Sequence, residues 1–223
     1  MTSPPTVLFD LDGTLTDSRP GILRTLRHAF RRLGERDGKV YQLPADEDLG
    51  WMIGPPLRVS FARLGGAENV DALVAFYRER YADTGLYESE VYEGVPQALA
   101  DLRAAGARLY VATSKNVRYA RKILEHFGLA DYFAAIHGSR DDGGLADKTE
   151  LLHHVLAIHS LDPKRATVAM IGDREYDMIG ARNNAIIALG ALWGYGGAEE
   201  LRKAGADVLI DRPTDVPAAV TGL

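Results

Sequence analysis

The chain has 223 residues, 46% hydrophobic and 26% charged, enough for a domain of ordinary size plus a smaller one with a sizeable core. Its formal net charge of -5 leaves no footprint for a nucleic-acid polymer or an anionic membrane surface. With no cysteine, disulfides, thiol catalysis and Cys-ligated zinc are excluded, and the composition fits the cytoplasm.

Met1 to Pro5 is a short polar start without the basic and apolar regions of a signal peptide, and no run reaches membrane-spanning length. Val7-Leu8-Phe9 then has the content of a short buried strand. It runs into Asp10-Leu11-Asp12-Gly13-Thr14, where Gly13-Thr14 breaks the strand. Residues two apart on an extended chain point the same way, so Asp10 and Asp12 leave the strand tip towards one spot. Carboxylates that close repel unless a proton or cation lies between them, and an oxygen-only ligand set suits Mg²⁺.

Asp17-Ser18-Arg19-Pro20 predicts a helix start, and Ile22, Leu23, Leu26, Ala29, Phe30 and Leu33 share one face of a helix that Gly34 would end. Short helices are expected over 46–52 and 55–64, and a longer one over 70–84. Some seventy residues of helix before a second strand are unusual for a simple βαβ fold. Residues 18–90 therefore read as a helical cap domain inserted into an α/β core of residues 1–17 and 91–223.

From Gly94 onwards helices and strands alternate. Helices are expected over 97–105, 117–127, 147–159, 176–184 and 199–204. Strands are expected over 108–112, 133–136, 167–171, 186–189 and 208–210. The alternation predicts a doubly wound, Rossmann-like parallel sheet with right-handed crossovers, whose ligands bind beyond the carboxyl ends of the strands. Polar groups at those ends fall in the order Asp10 and Asp12, Thr113, Lys148, then Asp173 and Asp177. Taken singly, Thr113 reads as a strand-end turn residue, Lys148 as a solvated helix-start lysine, Asp173 as a helix cap and Asp177 as a solvated helical residue. Taken together they read as a site.

This order and spacing resemble the four motifs of haloacid dehalogenase-type phosphatases over the whole chain. The resemblance implies Asp10 as nucleophile and Asp12 as general acid/base, with Thr113 and Lys148 holding the phosphoryl group. It implies a Mg²⁺ site of Asp10, Asp12, Asp173 and Asp177. Attack by a carboxylate would split a very slow hydrolysis in two through an aspartyl-phosphate. Backbone N–H groups around Leu11 to Thr14, Gly13 among them, and Ser114 would donate to phosphate oxygens. Because haloacid dehalogenases proper lack an acid/base at the position of Asp12, phosphoryl transfer is favoured.

Gly54-Pro55-Pro56-Leu57-Arg58 resembles the phosphoglycolate phosphatase branch, and Gly172 to Asp177 with Trp193 to Gly196 resembles members described as 5′-nucleotidases. The expected substrate is a small phosphorylated metabolite, 2-phosphoglycolate or a nucleoside 5′-monophosphate, hydrolysed by a monomer or homodimer. Arg58 would reach a substrate carboxylate or second anionic group when the cap closes, or is a surface arginine at a helix start. Ser114, Lys115 and Asn116 would touch the leaving group or cap the next helix. Trp193 and Tyr195 line the pocket or pack their loop, packing being the favoured reading, and Arg174-Glu175 is an unusual charged pair near the metal. Phosphomutases of the β-phosphoglucomutase type share all four motifs, and a non-catalytic module on the same fold is the third alternative.

Overall fold

The computed structural model describes residues 4–53, 55 and 57–223. Gly54 and Pro56 of the Gly-Pro-Pro motif lie outside the described residues. The chain forms two compact units, residues 1–17 with 91–223, and residues 18–90.

The larger unit carries a six-stranded sheet with helices on both faces. Its strands are β1 (Thr6–Phe9), β2 (Arg108–Asn116), β3 (Ala135–Ser139), β4 (Val168–Gly172), β5 (Ile187–Ala191) and β6 (Val208–Ile210). They lie in the order β3-β2-β1-β4-β5-β6 with every pairing parallel, so the chain winds outward from β1 in both directions. Such a reversal of strand order opens a crevice at the carboxyl ends of the central strands. In register, Phe9 pairs with Val111 on one side and Ile171 on the other. Asp10 therefore emerges between β2 and β4, with its N–H bonded to the Ile171 carbonyl at 2.9 Å.

Alternation along the strands splits the core. Leu8, Tyr110 and Met170 face one way, against Leu151, Leu152 and Val155 of one helix and Met178 and Ala181 of another. The observed elements differ from the expected ones chiefly at their ends. Strand β2 continues past Ala112 to Asn116, because a register shift between Thr113 and Asn116 lets it keep pairing with β3. A last helix, Val216–Thr221, has no counterpart in the expected elements; its six residues bury only Val216 and Val220.

The smaller unit is helical: α1 (Arg19–Asp37), a 3₁₀ segment (Asp46–Met52), α2 (Leu57–Gly65) and α3 (Val70–Tyr81), and the larger unit continues the series with α4 (Val95–Ala104), α5 (Val117–His126), α6 (Lys148–Ile158) and α7 (Glu175–Asn183). Helix α1 passes through Gly34 to end at Gly38, whose left-handed backbone (φ 65°) returns Lys39 N–H to the Gly34 carbonyl. Gly34 is thus a contact glycine within the helix, since a Cβ there would lie 2.4 Å from the Lys39 carbonyl oxygen. Phe30, Phe61 and Tyr77 meet edge to face through this unit's core, and Tyr81 stacks on Tyr77 at 5.1 Å.

Candidate active site

The sheet gathers the predicted residues at the carboxyl ends of β1, β2 and β4. Asp10 follows β1, Thr113 lies near the end of β2 and Asp173 follows β4. Helix α6 (Lys148–Ile158) brings Lys148 from its first position, and α7 (Glu175–Asn183) brings Asp177 from its first turn. The α6 N-terminus is satisfied by Asp147, whose carboxylate accepts from Glu150 N–H at 3.0 Å. That bond fixes where the helix begins, and so where Lys148 is aimed.

Lys148 is buried, against the expectation of a solvated helix-start residue taken singly. Its Nζ lies 3.0 Å from Asp10 Oδ1, 2.8 Å from Asp177 Oδ1 and 2.8 Å from the Ala112 carbonyl. Three partners match the three protons of an ammonium. Burial alone would lower the lysine's pKa; the charges of Asp10 and Asp177, and its bonds to them, raise it above the ordinary value instead.

Carboxylate oxygens of Asp10, Asp173 and Asp177 all lie within 4.8 Å of one another, and all three residues are buried. Burial pushes Asp173 well above the usual carboxylate range, reinforced by the charges of Asp177 and Asp10, despite bonds from Tyr195 N–H and the Thr14 hydroxyl. Burial also raises Asp177, to about 6, against the pull of Lys148. One ammonium therefore does not offset the charge of this group. Its donors are all hard oxygens, so the residues fit a divalent cation of the Mg²⁺ kind.

The Asp12 carboxylate stands outside this group of three and pairs with Lys115 Nζ at 2.7 Å, both side chains largely buried. The two aspartates of the Asp-x-Asp pair thus each have their own lysine. The Thr113 hydroxyl accepts from Lys115 N–H at 3.2 Å, leaving its own proton to donate. The Gly13 amide is already bonded to the Thr16 carbonyl at 2.8 Å and that of Thr14 to Leu11 at 3.3 Å, so both serve the turn itself. The Thr14 side chain does reach the site, donating to Asp173 Oδ1 at 3.1 Å. Arg58, on the smaller unit, pairs with Asp71 at 2.6 Å, both side chains well exposed.

Sequence reasoning underrated the loop after β5. Trp193 Nε1 donates to the Thr14 carbonyl at 2.9 Å, and Tyr195 N–H donates to Asp173 Oδ2 at 2.8 Å. The loop is thus bonded to the site, not merely packed. Its signal lay in the two glycines: a Cβ on Gly194 would sit 2.3 Å from that of Asp173, and one on Gly196 2.0 Å from the Asp173 carbonyl oxygen. The Arg174 charge is taken up by Glu200 at 2.8 Å, and Glu200 also accepts from Glu175 N–H.

With this geometry in view, residues 7–191 match the model of the haloacid dehalogenase-like hydrolase family. The chain belongs to that family, and it is an enzyme. It is 42% identical over 200 residues to a 5′-nucleotidase of Pseudomonas aeruginosa, covering 89% of this chain and 87% of that one. It is 33% identical to a phosphoglycolate phosphatase of Caulobacter vibrioides, covering 96% and 90%. Among solved structures, protein tyrosine kinase A of Mycobacterium tuberculosis matches with a TM-score of 0.81 and 35% identity over 98% of both chains. No described helix is long and apolar enough to cross a membrane.

Proposed function

We propose that this protein is a Mg²⁺-dependent phosphatase of small phosphate monoesters, working through a phosphorylated Asp10. The observation that carries the reading is the meeting of Asp10, Asp173, Asp177 and Lys148 at the central strand ends. Asp10, Asp173 and Asp177 would hold the metal, with Asp12 placed beside them on the same turn. Bound Mg²⁺ would supply the positive charge that lets an anionic phosphate approach four carboxylates.

Asp10 attacks phosphorus and accepts the phosphoryl group, and Asp12 protonates the departing ester oxygen. Asp12 then takes a proton from the water that releases phosphate. Lys148 and the Thr113 hydroxyl hold phosphoryl oxygens, which lets the charge developing on them be met without reorganisation. Lys115, paired with Asp12, would meet the leaving group, and Ser114, next to it in sequence, would donate there as well. Residues 18–90 act as a cap, with Arg58 available to a second anionic group once it leaves Asp71. The substrate is a nucleoside 5′-monophosphate or 2-phosphoglycolate, and the greater identity to the 5′-nucleotidase supports the nucleotide first. The enzyme would work in the cytoplasm, as a monomer or homodimer.

The test is phosphate release from nucleoside monophosphates, 2-phosphoglycolate, sugar phosphates and an aryl phosphate, in Mg²⁺ and in excess chelator. Metal-dependent release led by a nucleotide is expected. A folded, metal-loaded protein that releases phosphate from none of them would end this reading. A need for a sugar bisphosphate activator would turn it into a mutase.

A further inference from the structure

We infer that Tyr195 is a positioning residue that couples the metal-site carboxylate Asp173 to the two places where the chain leaves and re-enters the larger unit. The inference rests on the reading of Asp173 as a ligand to a divalent cation. Tyr195 uses its two ends differently. Its backbone N–H donates to Asp173 Oδ2 at 2.8 Å, while its phenol donates to Asp17 Oδ1 at 2.8 Å. Asp17 is the last residue of this unit before residues 18–90, and Tyr92 is the second residue after them. The two crossings are themselves joined, Tyr92 N–H donating to the Leu15 carbonyl at 3.2 Å.

The loop lies close against the site. A Cβ on Gly194 would lie 2.4 Å from the Gly13 carbonyl oxygen as well as 2.3 Å from the Asp173 Cβ, and Gly196 presses on the Asp173 backbone. Trp193 fastens the near end to the Thr14 carbonyl. When the crossings, joined through Tyr92 and Leu15, open, Asp17 draws on the phenol, and the loop carries the pull to the N–H that orients Asp173. A cation held by Asp173 therefore resists that opening. By linkage, anything that opens the crossings weakens the hold on the cation. Removing the phenolic oxygen cuts the coupling but leaves the N–H bond to Asp173, and with it the resting metal site.

Amide hydrogen exchange of the full chain with and without Mg²⁺, and no substrate, tests this directly. In the unsubstituted protein Mg²⁺ should slow exchange of peptides covering residues 15–18 and 90–93 by about fivefold or more, alongside those covering 173–177. In Tyr195→Phe the slowing at 173–177 should persist, with Mg²⁺ affinity within about twofold by calorimetry, while that at the crossings disappears. Asp17→Asn, which keeps an oxygen acceptor, should retain the coupling, and Asp17→Ala should lose it. Equal protection of the crossings in Tyr195→Phe, or protection at 173–177 alone in the unsubstituted protein, overturns the inference and leaves the metal reading standing. No effect of Mg²⁺ at 173–177 overturns both.

Discussion

Lys148 is the residue on which the charge balance of the site turns. It is buried, and its ammonium pairs with both Asp10 and Asp177. Removing one member of a buried ionic group costs about 3–5 kcal/mol, because the partner charges stay behind unpaired. In chelator at pH 7.5, Lys148→Met should therefore unfold at markedly lower urea than the unsubstituted protein. The sign of the pH dependence follows from Asp177, whose pKa in the fold is raised to about 6 from an ordinary 3.8. A raised carboxyl is neutral in the fold below that range, so the penalty is complete above pH 6 and relieved as pH falls towards 4. The deficit of Lys148→Met should shrink between pH 7.5 and pH 5; a deficit independent of pH would contradict this account.

The same residue marks where sequence reading stops. Asp10-Leu11-Asp12-Gly13-Thr14 was legible as a strand end and a glycine turn because both signals are local, but its two carboxylates do not meet at one spot: Asp10 turns to Lys148 and Asp12 to Lys115. That Asp12 would pair with Lys115, and Lys148 with two aspartates, depends on which strands become neighbours. No single stretch contains that information.

At the scale of elements, backbone room decides whether the carboxylates can meet. Gly172 ends β4, and a Cβ there would stand 2.2 Å from the Asp177 Cγ. Gly172→Ala should displace α7's first turn, separate Asp177 from Lys148 and weaken Mg²⁺ binding by at least about tenfold, about 1.4 kcal/mol. Calorimetric titration of the folded variant would show it, and unchanged affinity would count against the placement of Asp177. At another junction, β3 and the end of α6 meet through His137 Nε2 and His159 Nε2 at 2.9 Å, with the His159 ring tilted by 40° against Tyr110 at 4.4 Å. One ring must carry the proton between them, so charging both is unfavourable. Burial lowers His137 to about 4, aided by His159, His154 and Arg121 around it. A lowered histidine binds fewer protons folded than unfolded, so its contribution is full above pH 6.5 and is lost as pH falls through 4. His137→Gln should flatten that acid limb by on the order of 1 kcal/mol in urea unfolding between pH 7 and 4.5. An unchanged limb would place the acid sensitivity elsewhere.

Legibility at this scale was uneven. Most strands were read within a few residues, because β-branched runs bounded by glycine and aspartate are strong local signals. The extension of β2 to Asn116 was not, since it depends on a shift of register against a neighbouring strand. The helix over 216–221 was missed because six residues with two buried valines give too short a pattern for a helical period. The stop at Gly34 failed for the opposite reason. A glycine needed for a close approach looks, in sequence, like a glycine needed for a cap.

For the whole molecule, the central claim is that the sheet's strand order makes a phosphoryl-transfer site with Asp10 as its nucleophile. Crossing outward from β1 in both directions puts three strand ends, each with a polar residue, around one crevice, and two helices close it with Lys148 and Asp177. The most direct measurement is an acid quench within the first turnovers of a ³²P-labelled ester in Mg²⁺, followed by peptide mapping. Label should appear on the peptide holding Asp10, disappear in excess chelator, and be absent from Asp10→Asn, which should also release no phosphate. Sustained release of phosphate by Asp10→Asn, or label on another residue, would contradict the account.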